Sequence, residues 1–332
     1  MNEFELIERF FTRAVPAGGI VQQGIGDDCA LLDCGQRLLA MTTDLLLEGR
    51  HFLPGIDPAS LGHKALAVNL SDLAAAGASP RAFQLGLALP RADEAWLEAF
   101  CRGLFALADE HGCALAGGDT TRVPRLAWAS AQVDGPLTIC ITALGDLPRQ
   151  AVRTRGGACV GDDLWVSGTV GDARAALACR SGELAGVSAD DAAAFGRRMD
   201  WPQPRVALGV ALRGAATAAI DVSDGLLGDL GHILKRSGVG AVVEWERVPC
   251  SAALRSLPVE RQQNCALAGG DDYELLFTAA PGQRAAVEAA GAVSGVPVTR
   301  IGRIVGADDH LRVLDANGLE LPTPWQSFDH FA

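Results

Sequence analysis

The sequence predicts an α/β (α+β) protein of two domains, and three observations support this fold class. Apolar strand-like runs alternate with helical patterns along the chain. The 332 residues, 49% of them hydrophobic, suffice for two cores of ordinary size. Residues 145–163 are rich in Gly, Arg and Pro and lack a clean period. A junction in that stretch predicts domains over residues 1–148 and 149–332.

The first domain reads as a mixed sheet with helices packed against one side. Short apolar runs predict its strands, and longer segments of period 3.6 predict its helices. After an N-terminal segment of helical character, the predicted elements are a strand over 38–42, a helix over 58–76, a strand over 83–89, a helix over 94–111 and strands over 114–116 and 138–144.

The second domain repeats this alternation and is predicted to be α/β. Its predicted elements are a strand over 164–167, helices over 172–179 and 204–214, a strand ending at Asp221, a helix over 225–236, strands over 241–245, 273–279 and 299–305, and a helix over 282–290. The two domains are therefore of similar size.

The bulk composition excludes several classes of protein. A net charge of −12 with only two lysines argues against a nucleic-acid partner, because duplex binding needs a concentrated basic face. Nine cysteines without C-x-x-C spacing predict neither a disulfide framework nor a zinc site, which favours a reducing cytoplasm. The acidic N-terminus is unlike a secretory signal, and no apolar run approaches the roughly 20 residues that span a bilayer.

Acidic side chains recur where apolar strand-like runs end. The segments are Gly26-Asp27-Asp28, Thr42-Thr43-Asp44, Asn69-Leu70-Ser71-Asp72, Gly117-Gly118-Asp119, Asp221-Val222-Ser223-Asp224-Gly225 and Gly269-Gly270-Asp271-Asp272. Carboxylates gathered in one place repel each other by about 4 kcal/mol per pair at about 4 Å, so a fold that gathers them needs a cation. Hard oxygen ligands suit Mg²⁺, and Mg²⁺ commonly accompanies phosphates.

The segment Thr42-Thr43-Asp44 has a clear structural context. Thr42, Thr43 and Asp44 come at the end of a predicted strand, where α/β proteins place ligands, with Arg50 and His51 close by for an anionic substrate. The alternative is that Thr42 is an ordinary strand residue and Asp44 a helix cap.

Asp72 lies within an apolar helical stretch, where an unpaired carboxylate would be costly. A metal or a backbone donor is therefore expected beside it. Asp221 and Asp224 flank a strand-to-helix turn and can converge on cations, although Ser223 or Asp224 also fits as a helix N-cap.

The glycine-rich and arginine-rich segments are less informative. Gly118 and Asp119 could bring backbone N–H groups to a phosphate, as could any glycine turn. Arg149, Arg153 and Arg155 form a possible phosphate clamp, although such a linker is usually solvated. Nucleophilic catalysis has no support, because the chain has no G-x-S-x-G elbow, and it has no Walker A loop either.

Taken together and in this order, the acidic segments resemble the thiamine-monophosphate kinase family, within the superfamily of aminoimidazole ribonucleotide synthetase and selenophosphate synthetase. The resemblance runs from the N-terminal helix to the closing Phe328-Asp329-His330-Phe331. It implies that ATP, as co-substrate, phosphorylates thiamine monophosphate to thiamine diphosphate, the last step of that biosynthesis. It also implies a homodimer whose N-terminal domains share a β-barrel.

The resemblance also implies roles for particular residues. The implied ligands of several Mg²⁺ ions are Asp27, Thr42, Thr43, Asp44, Asp72, Asp119, Asp221 and Asp224. The implied ATP contacts are Gly118, Asp119, Arg155 and Ser223, and the implied substrate contacts are His51, Asp271 and Phe328. Two positions depart from the commoner family pattern: His111 replaces an expected tyrosine near the nucleotide, and Phe328 replaces a frequent tryptophan or tyrosine.

An acceptor that is already a phosphate needs no general base, so no catalytic side chain is predicted. Direct transfer without a phosphoenzyme then requires only that two anions be positioned and neutralised. Two alternatives remain. One is another ATP-using synthetase of the superfamily, although Cys29 does not match the reactive cysteine of a selenophosphate synthetase. The other is a nucleotide- or metal-binding protein without turnover.

Overall fold

The computed structural model describes residues 3–12, 19–128, 131–324 and residue 328, and within them it confirms a mixed α/β fold. The described strands form two six-stranded sheets and one two-stranded hairpin. Residues 1, 2, 13 and 329–331, which the predicted terminal segments include, lie outside the described residues. No helix in the described part of the chain is long and apolar enough to cross a membrane.

The first half of the chain builds one sheet and its covering helices. Its elements are α1 (Glu3–Phe10), β1 (Val21–Gln23), β2 (Ala30–Cys34), β3 (Arg37–Leu47), α2 (Pro58–Ala75), β4 (Ser79–Leu89), α3 (Glu94–Glu110), β5 (Ala114–Arg122), β6 (Arg125–Trp128), β7 (Ala131–Asp134) and β8 (Thr138–Pro148). The sheet has the order β1-β2-β3-β8-β4-β5, and only its β4–β5 pair is parallel.

The second half builds the other sheet. Its elements are β9 (Asp163–Ser167), α4 (Asp172–Ser181), α5 (Ala189–Asp200), α6 (Val206–Ala211), β10 (Ala218–Asp221), α7 (Leu226–Ser237), β11 (Gly240–Glu244), α8 (Ala252–Arg255), α9 (Val259–Gln263), β12 (Leu275–Ala279), α10 (Arg284–Ser294), β13 (Val298–Val305) and β14 (Leu311–Leu314). This sheet has the order β10-β12-β9-β13-β11-β14, with only β11–β14 parallel.

Helix α2 links the two halves, because 16 of its 18 residues are buried. A helix that is apolar on every side packs against neighbours on every side. It contacts α3 and strands β3 and β8 of its own half, and also α6, β10 and β12 of the second half. Its leucines belong to the same apolar cluster as Trp165 and Phe277 of the second sheet. One continuous core therefore runs from the first sheet into the second.

Several local predictions differ from the structure. The strand predicted over 38–42 continues to Leu47, so Thr42, Thr43 and Asp44 lie within β3 and not at its end. The strand predicted over 114–116 continues to Arg122, and all nine residues of β5 are exposed, so no apolar alternation marks its length. Helix α5 was not predicted, because Phe195 and Met199 are its only buried residues. The helix predicted over 204–214 is shorter, as α6.

Candidate active site

Strand β3 and helix α2 bring three of the predicted residues together. Thr42 and Asp44 lie on the same face of β3, because alternate strand residues share a face. Thr42 Oγ1 donates a hydrogen bond to Asp72 Oδ2 on α2. Thr43 points to the other face of the sheet, where its Oγ1 lies 2.9 Å from Thr142 Oγ1. The hydroxyl of Thr43 is therefore directed away from the carboxylates.

Asp28, Asp72 and Asp221 form an acidic cluster between the two halves. One carboxylate oxygen of each lies within 4.8 Å of those of the other two. Ser71 Oγ donates to Asp221 Oδ2 over 2.7 Å. Arg155 Nη2 lies 2.6 Å from Asp28 Oδ1, and the side chain of Asp28 is only 4% exposed. The cluster thus combines a loop before β2, the helix α2 and the end of β10.

Burial and mutual repulsion make these carboxyl groups weak acids. Burial, and after it the carboxylate of Asp44, raises the pKa of Asp72 well above its ordinary value. Burial and the charge of Asp28 raise the pKa of Asp221 to about 8. Burial and the charge of Asp224 raise the pKa of Asp44 to about 6. Because Arg155 offsets only part of this negative charge, the protein by itself cannot hold every one of these carboxylates ionised at neutral pH.

The chemistry of this donor set fits a hard divalent cation. The three clustered ligands are all carboxylate oxygens, which Mg²⁺ prefers over nitrogen or sulfur donors. Cys29 is a soft donor beside the acidic cluster, and burial followed by the charge of Asp72 raises the pKa of its thiol well above the usual range. A neutral thiol is a poor metal ligand. The acidic cluster is therefore a candidate site for magnesium rather than for zinc.

A buried carboxylate organises the turn that joins β10 to α7. Asp229 Oδ2 accepts hydrogen bonds from the backbone N–H groups of Ser223, Asp224 and Gly225, over 3.1, 3.2 and 3.1 Å. The side chain of Asp229 is 2% exposed. Burial, and then the charge of Asp224, raises its pKa well above the usual value. The N–H groups at the start of α7 thus bind a side chain of the protein itself.

The loop before β12 packs directly on this turn. Asp271 N donates to Ser223 O over 2.8 Å, and Tyr273 N donates to Val222 O over 2.9 Å. A Cβ atom on Gly270 would lie 2.1 Å from Ser223 O, so no residue other than glycine fits there without displacing the turn. The two loops therefore hold each other in place.

Asp271 and Tyr273 have left-handed backbone conformations, with φ of 65° and 51°. Such angles are costly for residues other than glycine and occur at functional sites. Lys64 Nζ lies 3.0 Å from Asp271 Oδ2, and the Lys64 side chain is 2% exposed. Tyr273 Oη donates to Asp271 Oδ1 over 2.9 Å. Asp271 is thus oriented by a buried ammonium group from α2 and by its own loop.

A cavity of about 1000 Å³ lies between the halves. Nine predicted site residues line it: Thr43, Asp44, His51, Asp72, Asp221, Ser223, Asp224, Asp271 and Phe328. Three cationic side chains also line it: Arg50, Lys64 and Arg174. Carboxylates that could hold cations and cations that could bind anions therefore face the same space, as a metal-dependent phosphate site requires.

Phe328 and His51 both line the cavity, and His51 comes from the loop after β3. The guanidinium carbon of Arg50 lies 4.4 Å from the centre of the Phe328 ring, a cation–π contact. Phe328 N donates to Asp224 O over 3.1 Å. His51 Nδ1 accepts a hydrogen bond from Leu47 N over 3.0 Å, which fixes the orientation of the ring.

Asp27 lies beside the acidic cluster but is directed elsewhere. Its Oδ1 accepts a hydrogen bond from Arg155 N over 2.5 Å, and its Oδ2 lies 3.6 Å from Arg236 Nη2. Asp28, and not Asp27, is the member of this doublet whose carboxylate joins Asp72 and Asp221. The two residues lie in a loop between β1 and β2, where the backbone conformation decides which carboxylate faces the cluster, so a doublet cannot by itself show which member is the ligand.

Gly118 and Asp119 lie apart from the other predicted residues. Both belong to β5, at the edge of the first sheet. Gly118 stands in the same cross-strand row as Asp44, but β4 and β8 lie between them, which separates the strands by about 14 Å. A Cβ atom on Gly118 would lie 1.9 Å from Leu85 O, so its glycine serves the close pairing of β4 and β5.

Two arginines of the predicted phosphate clamp bind elsewhere. Arg153 is buried and donates to the carbonyl oxygens of Ala74 and Gly209. Arg149 pairs with Asp33 at the other edge region of the first sheet. Within the described residues, only Arg155 of the three contacts the acidic cluster.

Three residues of the site were not predicted from the sequence. Asp28 was not among the predicted ligands, whereas Asp27 was. Lys64 had a usable signal, because it is a lysine inside a largely apolar helix. Asp229 had a weaker signal, an acidic residue in the first turn of α7, which many helices share.

Comparison with known proteins identifies close relatives of the whole chain. Residues 26–147 match the N-terminal domain of AIR synthase related proteins, and residues 160–314 match the C-terminal domain. The chain is 45% identical over 333 aligned residues to the thiamine-monophosphate kinase of Salmonella typhimurium, covering 100% of this chain and 98% of the relative. The Escherichia coli K12 enzyme of the same name has the same identity and coverage.

Solved structures agree with these matches. A thiamine-monophosphate kinase from Stenotrophomonas maltophilia K279a is 46% identical, with a TM-score of 0.77, over 90% of this chain and 92% of the other. The protein described as AaThiL complexed with AMPPCP and TMP is 29% identical, with a TM-score of 0.80, over 99% of this chain and 97% of the other.

Proposed function

The chain belongs to the thiamine-monophosphate kinase family of AIR synthase related proteins, and on that basis we propose that it transfers the γ-phosphoryl group of ATP to thiamine monophosphate. The products are thiamine diphosphate and ADP. One observation of the structure carries this proposal: carboxylates and cationic side chains line the same cavity between the halves. The relative described with AMPPCP and TMP supports the same pair of substrates.

The reaction needs charge neutralisation more than proton transfer. An oxygen of the acceptor phosphate attacks the γ-phosphorus while the bond from that phosphorus to the bridging oxygen of ADP breaks, so the phosphoryl group moves directly and no phosphoenzyme forms. Magnesium bound here would neutralise phosphate oxygens of both substrates. Asp28, Asp72 and Asp221 support this role, with Asp44 and Asp224 beside them. Thr42, Thr43, Asp27 and Asp119 remain proposed ligands.

The chain's own cations complete the proposed substrate site. Lys64, Arg50 and Arg174 face the cavity and can bind phosphate oxygens. We assign the thiamine monophosphate to the side lined by His51, Asp271 and Phe328. The aromatic ring of Phe328 can stack on the substrate. We assign ATP to Arg155 and Ser223, with Gly118 and Asp119 as further contacts.

The first sheet has exposed surfaces that bear on the assembly. One face of the first sheet carries exposed apolar residues such as Leu45, and β5 exposes all nine of its residues. These features support a homodimer in which two such sheets form a β-barrel.

The domain division and the location rest on other features. The first sheet ends at Pro148 and the second begins at Asp163, which supports domains over 1–148 and 149–332. All nine cysteines are free, which supports a reducing cytoplasm.

The direct test is an assay of the purified protein with ATP, Mg²⁺ and thiamine monophosphate, in which thiamine diphosphate and ADP are separated by chromatography. We expect equal amounts of the two products, and no product from free thiamine, which lacks the acceptor phosphate. ADP release without thiamine diphosphate would instead point to a sister synthetase. Light scattering of the same sample tests the homodimer.

A further inference from the structure

Asp229 is a buried acidic residue that the proposed chemistry does not use directly. It lies in the first turn of α7, and a single oxygen of its side chain accepts three consecutive backbone N–H groups. The three hydrogen bonds measure 3.1, 3.2 and 3.1 Å, so this one oxygen fixes the N–H side of the turn. Removing a buried acceptor of several hydrogen bonds leaves each donor unsatisfied.

The opposite side of the same turn is held by backbone contacts. The carbonyl oxygens of Val222, Ser223 and Asp224 accept hydrogen bonds from Tyr273 N, Asp271 N and Phe328 N, over 2.9, 2.8 and 3.1 Å. The turn therefore makes hydrogen bonds on two sides. Its carbonyl groups accept from the cavity loops, and its N–H groups donate to Asp229. Asp221 lies just before this hydrogen-bonded turn, and Asp224 lies within it.

We propose that Asp229 is a positioning residue, which fixes the 221–225 turn so that the carboxylates of Asp221 and Asp224 face the cation site. The inference rests on the proposed function only in naming magnesium as that cation. Asp229 also occupies the N–H groups at the start of α7, a place where other proteins bind phosphate. Phosphate groups in the cavity must then be held by cations and side chains instead of by this helix terminus.

A purely structural role for Asp229 makes a different prediction. An acidic side chain in the first turn also stabilises its helix, and that effect alone would change only the free energy of unfolding. Asp93 provides the matched control, because it caps α3 by accepting a hydrogen bond from Trp96 N over 3.1 Å, on a helix that does not line the cavity.

The experiment compares Asp229→Ala, Asp229→Asn and Asp93→Ala by titrating the full-length protein with Mn²⁺, followed by electron paramagnetic resonance. We expect the Kd for Mn²⁺ to rise about tenfold in Asp229→Ala, because three N–H groups lose their acceptor. We expect a rise of only about threefold in Asp229→Asn, whose amide oxygen still accepts. Asp93→Ala should unfold at a lower temperature and bind Mn²⁺ as the wild type does.

Two results would overturn the proposal. Wild-type Mn²⁺ affinity in folded Asp229→Ala would leave Asp229 a structural role only. Equal losses in Asp229→Asn and Asp229→Ala would assign the effect to the lost charge instead of to positioning. If Asp229→Ala does not fold, Asp229→Asn is the deciding variant. In that variant, positioning predicts amide hydrogen-exchange rates at residues 223–225 close to those of the wild type. Since Mn²⁺ binding needs no turnover, a failure of the proposed kinase activity would be seen separately.

Discussion

Ser71 Oγ donates a 2.7 Å hydrogen bond to Asp221 Oδ2, and the two residues are 150 positions apart. Ser71 is on α2, packed with the first sheet, whereas Asp221 ends β10 of the second sheet. The bond lowers the pKa of Asp221 against the larger effect of burial. The acidic cluster is thus assembled across the junction, and its ionisation depends on a donor from the opposite half.

Replacing Ser71 by alanine should weaken metal binding without unfolding the protein. Asp221 loses its buried donor, so its pKa rises further and ionising it for a cation becomes harder. We expect the Kd for Mn²⁺ near neutral pH to rise about fivefold to tenfold, measured by titration. Ser60→Ala is the control, because Ser60 is buried on the same helix and its hydroxyl donates to Asp57 O, away from the acidic cluster. Unchanged Mn²⁺ affinity in Ser71→Ala would contradict this role.

Replacing Asp72 or Asp44 by asparagine should separate activity from stability. We expect turnover to fall by roughly two to three orders of magnitude, because electrostatic stabilisation is lost at the reacting phosphates. Without metal, the melting temperature should rise, because a buried repulsive carboxylate has been removed.

The control for this pair is Asp163→Asn, which removes a buried carboxylate bound by Arg284 and Arg300 far along the second sheet. That variant should lose stability and keep its turnover. Near-normal turnover in both Asp72→Asn and Asp44→Asn would refute the metal assignment.

Stability of the metal-free protein should fall as pH rises. Asp221 and Asp44 have pKa values of about 8 and about 6 in the folded protein, against an ordinary value of 3.8. Between these values the folded state binds more protons than the unfolded state, so the free energy of unfolding decreases from about pH 4 to about pH 8. Denaturant titrations with EDTA across this range measure the slope.

Added Mg²⁺ should reverse this trend, because cation binding requires the ionised carboxylates and therefore strengthens as pH rises. Asp163, whose pKa Arg284 lowers, contributes with the opposite sign only below about pH 4. Burial lowers the pKa of His232 to about 4, so this histidine opposes the trend up to about pH 6.5 and the slope is clearest above that pH. A metal-free stability that stays flat from about pH 4 to about pH 8 would show that these carboxyl groups are not held protonated.

Replacing Lys64 by methionine should weaken substrate binding more than folding. Methionine fills a similar buried volume on α2, but the cavity loses its fixed ammonium group and Asp271 loses its ion partner. We expect the KM for thiamine monophosphate to rise roughly tenfold or more, measured by steady-state kinetics. Lys235→Met is the matched control, because that lysine is exposed and pairs with Glu8 on the surface. Equal KM values for the two variants would exclude a role for Lys64.

Adding one methyl group at Gly270 should disrupt the site. Alanine there would place its Cβ 2.1 Å from Ser223 O, so the loop before β12 must move away from the turn before α7. We expect the free energy of unfolding to fall by about 1–3 kcal/mol, measured by chemical denaturation, with a weaker Mn²⁺ affinity. Gly282→Ala has open space around its Cβ and should change neither quantity. A Gly270→Ala protein as stable as the wild type would contradict the close packing of these loops.

Elements with strong apolar patterns were predicted well, whereas pairings between distant segments were not. Strand β3 and helix α2 were found because their apolar residues follow the period of each structure. The sequence could not show that Asp28, and not Asp27, faces Asp72, because that choice depends on one backbone rotation in a loop. Nor could it show that β5 continues past residue 116, since exposed residues pair there only through the backbone of β4.

Helix α2 also has a consequence for how the protein is made. The helix leaves the ribosome about 150 residues before Asp221, the partner of Ser71 in the second half. At about 5–20 residues per second, its apolar surface toward the second half stays uncovered for roughly eight to thirty seconds. During synthesis, this surface of the nascent first half is therefore exposed before its partner elements exist, and the acidic cluster cannot assemble until Asp221 has been made.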